Sequence, residues 1–571
     1  MDITLQVGGE AGQGINTVGD LLAQVFVKAG FYTFTINDAE SRIRGGYNFT
    51  QIRVSDTPIH APVDDLDVII AFSQDAIVNP RSKLADHGVI IFDDSVEFEN
   101  LEECHYRAPL QKTAKEVGGN TRMTNAAAVG AVLAILRFPL GLAEETLASI
   151  FKKKGENVIS SNVAVLRAMH DRTLQEFGGP CSQNLSTTTK GPGAHSMLMT
   201  GNLAMALGAV AANLKWISSY PMSPSTSLFQ DVISFSRELN IGAIQTEDEL
   251  ASINMALGAS FAGARSMVTT SGGGFSLMAE ALGLGAMAEV PIVIYNAQRA
   301  GPSTGLPTRT EQSDLLFMAF ASQGEFPRIM LAPKNPMESF DVAKRAFDLA
   351  DRFQVPVMIL GDQHLADSTW STQAIDVTKT KVDRGVLAGK ANGVYQRYKL
   401  TDDGVSPRAF PGDPGKVVVS SGNVHLENGH ITEDPKIRNA MVEKFLKKIP
   451  HILDSLDPPN IYGPDDADVM LLTWGSTWGA TYEAVSKLNY DGIAISQLHF
   501  CDIYPLRTDR LTKMFDRVEK VVAVEQNTTS QFAKLVRMET GLDVTHHINK
   551  FDGRPMTPRW VIQQLEEVGA L

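Results

Sequence analysis

Cysteine is nearly missing from this 571-residue chain: Cys104, Cys181 and Cys501 are its three, far apart and with no CxxC spacing. A disulfide framework is therefore not expected, which points to a cytoplasmic setting. Three thiols also fall short of the roughly four that an iron–sulfur cluster takes, so this chain is not expected to hold one alone. An excess of positive charge is missing too. Lys and Arg number 51 against 65 Asp and Glu, a formal net charge of −14. That balance argues against nucleic-acid binding and requires any acidic substrate to be met by locally placed cations. Nor is there a long uninterrupted apolar run. The opening MDITLQVGGE has neither a basic start nor an apolar stretch, so no secretory leader is expected. Residues 277–295 are broken by Glu280, Glu289 and Pro291, which suits a buried helix and strand better than a membrane span.

What is present is ordinary globular material: 43% hydrophobic and 20% charged residues. At roughly 150 residues per domain, three or four domains are expected. Residues 1–180 read as an α/β domain. A strand, ITLQV (3–7), runs into GGEAGQG (8–14) and a helix (16–30). A strand, glycine loop and helix can set backbone N–H groups and a positive helix end against a phosphate, and tight strand–helix packing alone also explains such glycines. The loop lacks dinucleotide-fingerprint spacing, which counts against a nicotinamide-dependent dehydrogenase. In ESRIRGGYNF (40–49), Arg42 and Arg44 stand beside two glycines; such a pair is most often solvated surface. Apolar strands at 66–72 and 88–94 and the helix AAAVGAVLAILR (126–137) complete a doubly wound pattern. GGPCSQNLSTTTKGPG (178–193) reads as a linker.

Residues 194–375 read as a second α/β domain. The strand WISSYP (216–221) leads into MSPST, where Ser223 and Thr226 are candidates to cap the next helix or to touch a ligand. In QTEDELASINMALGASFAGAR (245–265), Thr246 is placed to start a helix whose small residues give it a thin surface. Glu249 then has two readings. It completes a capping box with Thr246, or it meets a heteroaromatic ring nitrogen in a dry crevice. SMVTT (266–270) reads as a buried strand, and the glycines after it as a tight turn. Arg299 follows the strand PIVIYNA (291–297) in a loop of Gly, Pro, Ser and Thr. It is a candidate carboxylate clamp, because guanidinium and carboxylate join in two parallel charge-assisted bonds, or else a salt bridge. Residues 376–465 read as an irregular connecting arm, where His425 and His430 beside Glu427 lack a third metal ligand. Residues 466–571 read as a third α/β unit, with His499 and Cys501 in its core. The fold class is thus α/β, in three α/β domains.

Several of these segments share a likeness. Glu249 followed nine residues later by Gly258-Ala259, with small residues between, resembles the pyrimidine-binding half of thiamine diphosphate enzymes. YPMSPST (220–226), TSGGGF (270–275) and QRAGPSTGLPT (298–308) are similar to the alpha subunit of 2-oxoacid:ferredoxin oxidoreductases. The form resembled has a fused N-terminal gamma-type domain, as in 2-oxoglutarate:ferredoxin oxidoreductase, and the likeness covers nearly the whole chain. It implies that 194–375 is a thiamine diphosphate pyrimidine-binding domain and that 466–571 is a transketolase C-terminal-like domain. It also implies that 1–180 is a gamma-type domain handling coenzyme A, carried onto Gly12, Gln13, Gly14 and Arg44, with Glu10-Ala11 where the family often has Gly-Gly. By the same resemblance Glu249 hydrogen-bonds the aminopyrimidine, and Ser223, Arg299 and Thr308 hold the substrate carboxylate. Ser223 stands where the family has threonine, one methyl smaller.

The family's Mg²⁺-diphosphate motif, GDG, is missing; only GDQ, GDP and YDG occur. The resemblance therefore implies a beta subunit that carries the diphosphate and Mg²⁺ site and a [4Fe–4S] cluster. It implies ferredoxin as electron carrier and a dimer of alpha–beta heterodimers; the charge balance and the interrupted apolar runs predict no nucleic-acid or membrane partner. No metal is expected on this chain itself. The implied activity is thiamine-dependent oxidative decarboxylation of a 2-oxoacid, 2-oxoglutarate first, to acyl-CoA and CO₂, and also its reverse for carbon fixation. The alternatives are a broad-specificity or pyruvate-type enzyme, and a non-catalytic assembly subunit. Glu249 retained together with Arg299 and Thr308 argues against the last.

Overall fold

The computed structural model describes residues 1–40, 45–99, 102, 104–177, 185, 197–377, 380–390 and 393–571. Its chain clusters into two compact units, Met1–Met199 with Ser368–Ile375 and Thr200–Asp367 with Asp376–Leu571.

The first unit is built on an eight-stranded sheet. Its order is His105–Ala108, Leu84–Asp93, Leu66–Ala71, Asp2–Ala11, Gly45–Ser55, Tyr32–Ala39, Thr369–Thr372 and Met197–Thr200. The first four strands are parallel. Gly45–Ser55 runs antiparallel to both of its neighbours, so the doubly wound expectation is corrected to a mixed sheet. The reason lies in the connection. Tyr32–Ala39 and Gly45–Ser55 follow each other with a few residues between, too short for the crossover that parallel pairing needs. The helix Thr124–Ile135 is buried on every side, Asn125 alone excepted. A Cβ at its Gly130 would strike Leu166 O, which explains how closely the helix Glu156–Phe177 crosses it. Cys104 is disulfide-bonded, a correction to the expectation that no disulfides form; Cys501 is free.

The second unit holds two sheets joined by an apolar cluster that runs from Ile253 and Phe275 through Met330 to Trp474, Leu498 and Phe532, with a second cluster around Phe229, Phe347 and Ile452. The larger sheet is ordered Asp502–Tyr504, Ile329–Leu331, Pro356–Asp362, Ile292–Gln298, Ser266–Thr270, Trp216–Ser219 and Gly242–Gln245. All its pairs are parallel except the first, where Asp502–Tyr504 lies antiparallel on Ile329–Leu331. Ser266–Thr270 and Ile292–Gln298 are buried along their whole length, as strands covered on both faces must be. The smaller sheet is ordered Asn460–Tyr462, Ile495–Phe500, Val469–Trp474, Lys520–Glu525 and His546–Asn549. His499 is fully buried within it.

The stretch expected to be irregular carries one long helix, Pro435–Ser455, capped by Asp434 with Pro435 in its first turn. Lys444 and Lys448 of that helix both reach the carboxylate of Glu289, at 2.5 and 2.6 Å. His425 stacks on Tyr398 with ring centroids 3.8 Å apart, and its Nδ1 lies 2.9 Å from Asn423 O. Its Nε2 is buried without a partner, and among the described residues no cluster of three metal-ligating side chains includes it.

Candidate functional site

Glu249 opens the helix Glu249–Phe261, but the cap is its neighbour. Asp248 Oδ1 accepts a hydrogen bond from Ala251 N–H at 2.7 Å. The Thr246 hydroxyl donates to Asp248 O at 2.8 Å and pairs with Ser252 Oγ. The capping box therefore does not form, and Thr246 does not start the helix. Two candidate caps stood two residues apart, and the shorter acid next to the helix took the role. Glu249 is left to bond only its own N–H, which partly offsets the effect of burial on its carboxyl. It is 3% exposed, and its Oε1 has no hydrogen-bond partner. Native proteins rarely leave a buried polar atom unsatisfied, because the desolvation cost goes uncompensated.

The glycines next door explain where that carboxylate fits. Residues 272–274 do not make a tight turn; they form the first turn of the helix Gly272–Met287. A Cβ at Gly274 would strike Glu249 Oε1 and Thr270 Oγ1. Burial raises the Glu249 carboxyl above its ordinary range, and the charge of Asp248 adds to the shift.

Arg299 follows directly on the buried strand Ile292–Gln298. Its Nη1 donates to Ser223 O at 2.8 Å, which brings two of the candidate residues together. Ser223 sits in the turn before the helix Thr226–Leu239, whose N-cap is Ser225 with no side-chain capping bond; neither Ser223 nor Thr226 caps. Asn202 pins the turn through Pro224 O at 2.9 Å. Burial lowers the proton affinity of Arg299 while the charge of Asp314 raises it. Among the described residues Arg299 makes no ion pair, leaving guanidinium donors for an anion. Thr308 is half-buried in the same loop, between the Leu306 N–H bond to Ala300 O and the Thr310 N–H bond to Gly553 O.

Three residues of this site escaped the sequence reading. Asp314 Oδ2 accepts from Asn296 Nδ2 at 2.9 Å, and its carboxylate lies where a Cβ at Gly272 would go. Asn296 Oδ1 and Ser271 Oγ are buried without partners. Thr270 and Asn296 are direct neighbours in the parallel register. Three orphaned atoms, Glu249 Oε1, Ser271 Oγ and Asn296 Oδ1, thus gather at the carboxyl ends of two adjacent strands, where open parallel sheets bind ligands. The signal was present: each of two glycines in the triplet makes room for one carboxylate.

The remaining candidates belong to the first unit. Gly12 and Gly14 have φ of +96° and +80°, and a Cβ at Gly14 would strike the Asn125 amide. Gln13 closes its own loop: its Oε1 accepts from Glu10 N–H at 2.7 Å and its Nε2 donates to Phe72 O at 3.4 Å. Gly14 precedes the helix Ile15–Lys28 with no side-chain cap. Arg42 and Arg44 lie outside the described residues. Among the described residues no group of three or more His, Cys, Asp or Glu is placed to hold a metal ion, and no helix is long and apolar enough to cross a membrane.

Residues 207–444 match the family model for the thiamine diphosphate-binding domain of pyruvate flavodoxin/ferredoxin oxidoreductase. Residues 4–171 match a second model, pyruvate ferredoxin/flavodoxin oxidoreductase. The 2-oxoacid:ferredoxin oxidoreductase subunit alpha of a Sulfolobus species is 30% identical, over 97% of this chain and 95% of that one. The 2-oxoglutarate oxidoreductase subunit KorA of Mycobacterium tuberculosis is 29% identical over 95% and 88%. Among solved structures, 2-oxoglutarate:ferredoxin oxidoreductase from Magnetococcus marinus, with 2-oxoglutarate, coenzyme A and succinyl-CoA bound, superposes with a TM-score of 0.93. It is 30% identical and 99% of each chain is covered.

Proposed function

The chain belongs to the family of 2-oxoacid:ferredoxin oxidoreductase alpha subunits, and from that premise we propose that it converts 2-oxoglutarate and coenzyme A to succinyl-CoA and CO₂, passing two electrons to ferredoxin. The observation that carries the reading is the Glu249 carboxylate, buried, relieved of capping by Asp248 and without a partner at Oε1. The aminopyrimidine of thiamine diphosphate fits this donor and acceptor set: a ring nitrogen that shares a proton with Glu249, and polar groups for Ser271 Oγ and Asn296 Oδ1. When bound, the cofactor supplies a carbon nucleophile and an electron sink for the loss of CO₂.

The chain's own residues do the rest. Glu249, with its raised proton affinity, holds or yields a proton at Oε1. Arg299 clamps the 2-oxoacid carboxylate through its uncommitted N–H groups, with Ser223 and Thr308 as hydroxyl donors. Packing around the strand ends keeps water from the proton shared at Glu249. Gly12, Gln13, Gly14 and Arg44 are assigned to coenzyme A in the gamma-type domain, 1–180. Residues 194–375 are assigned as the pyrimidine-binding domain, 376–465 as the connecting arm and 466–571 as the transketolase C-terminal-like domain.

A beta subunit completes the site, bringing the diphosphate and Mg²⁺ site and the [4Fe–4S] cluster, in a cytoplasmic dimer of alpha–beta heterodimers. Exposed apolar residues on the elements that carry the site support a covering chain: Leu250, Met255, Leu277, Phe317 and Phe320. The relatives named for 2-oxoacids in general favour a second reading, broad specificity. A substrate panel with the reconstituted complex separates the two. kcat/KM for 2-oxoglutarate at least about tenfold above that for pyruvate and 2-oxobutyrate supports the first reading; near-equal values support the second. No 2-oxoacid-dependent dye reduction at all would remove both.

A further inference from the structure

Asp314 directly precedes the helix Leu315–Phe320 but caps nothing. The Leu316 N–H goes instead to Gln531 Oε1, at 3.0 Å, from a segment far along the chain. Relieved of capping, as Glu249 is, the Asp314 carboxylate turns back to the strand end. It accepts from Asn296 Nδ2 and lies flat over Gly272, while its own N–H donates to Gln298 Oε1 at 3.0 Å. Gln298 is the residue before Arg299. The Asp314 carboxylate and the Arg299 guanidinium are near enough for each to act on the other's charge, yet they form no ion pair.

We propose that Asp314 is a positioning residue that weakens the hold of Arg299 on the substrate's 2-carboxylate. The inference rests on the 2-oxoacid reading above. In that reaction the C1–C2 bond breaks, its electron pair stays with C2 and C1 leaves as neutral CO₂. A guanidinium that grips the carboxylate fully stabilises the ground state more than a transition state in which that charge is vanishing. A second carboxylate beside it, fixed by Asn296 and given room by Gly272, lessens the ground-state grip without displacing the clamp.

The test is Asp314→Asn in the reconstituted complex, since an asparagine oxygen keeps the bond from Asn296. KM for 2-oxoglutarate is expected to fall by roughly 3–10-fold and kcat to fall by a similar factor, leaving kcat/KM nearly unchanged, at an unchanged melting temperature. A structural lesion moves KM the other way. Asp314→Ser is expected to show the same split. An unmoved or raised KM in either variant overturns the inference, as does failure of both to assemble with the partner, which makes Asp314 structural. Wild-type complex that turns over no 2-oxoacid overturns the parent reading as well; active wild type with unmoved variants overturns the inference alone.

Discussion

Glu249 and Glu289 are buried carboxylates in the same compact unit, at opposite ends of the helix Gly272–Met287, and their surroundings push them in opposite directions. Around Glu289, burial alone would raise the carboxyl, but Lys448, Lys444 and Arg397 outweigh it and hold it down at about 2. Both of its oxygens are bonded to lysine ammonium groups. Among the described residues no cation acts on Glu249, one of its oxygens has no partner, and burial raises the carboxyl. Burial is common to both, so it does not mark the functional residue. The missing partner does: a satisfied buried charge ties elements together, whereas an unsatisfied one waits for a ligand.

That contrast is open to direct attack. Glu249→Gln in the reconstituted complex is expected to cut 2-oxoacid-dependent dye reduction by roughly 10²–10⁴-fold while the isolated chain melts no lower than wild type. Near-normal turnover would erase the distinction. Glu289→Gln strands two buried lysines and is expected to cost about 3–5 kcal/mol in chemical denaturation, with turnover per folded molecule unchanged. A normal denaturation midpoint would show that the lysine cluster is not structural.

A pH series sharpens the same comparison through its sign. The folded Glu249 carboxyl titrates above its ordinary 4.5, so its contribution to stability is complete below pH 4.5 and lost as pH rises through the folded value. Glu289 is the reverse, with its contribution complete above its ordinary 4.5 and lost as pH falls towards about 2. Glu249→Gln should therefore be more stable than wild type at neutral pH, with the gap closing in acid, and Glu289→Gln less stable at neutral pH. Equal signs in calorimetry would refute the assignment. The smallest effect is expected at Asp248→Ala, which removes the cap that frees Glu249. It should cost about 1 kcal/mol in urea titration, and Asp248→Asn less; no loss from Asp248→Ala would mean that Glu249 itself can cap.

Residue order led to the helix that Glu249 opens and to the loop in which Arg299 meets Ser223, and the alternation of apolar strands with helices marked an α/β chain. Where the reading failed, two local solutions were equally open. Thr246 and Asp248 both satisfy the rules for a cap, and only the folded helix shows which was taken. The glycines at 272–274 suit a turn as well as a helix start against a carboxylate. Asp314 passed as a loop residue because its significance depends on Asn296, Gln298 and Gln531, none adjacent to it. The strand Tyr32–Ala39 and the mixed order of the first sheet went unread because strand pairing is a long-range choice.

Residue order alone specified which side chains can donate, accept or carry charge, and roughly which strand or loop each would occupy, since propensity and periodicity act over a few positions. The sequence also lacks a GDG motif, the feature on which the proposal of a completing beta subunit rests. Which carboxylates stay unpaired was left to the folded molecule. Asp248 relieves Glu249 from the next position, but Asp314 is relieved by Gln531, which takes the Leu316 N–H from 215 residues away. A buried oxygen is orphaned only once every competing donor has been assigned elsewhere, and that assignment exists only in three dimensions.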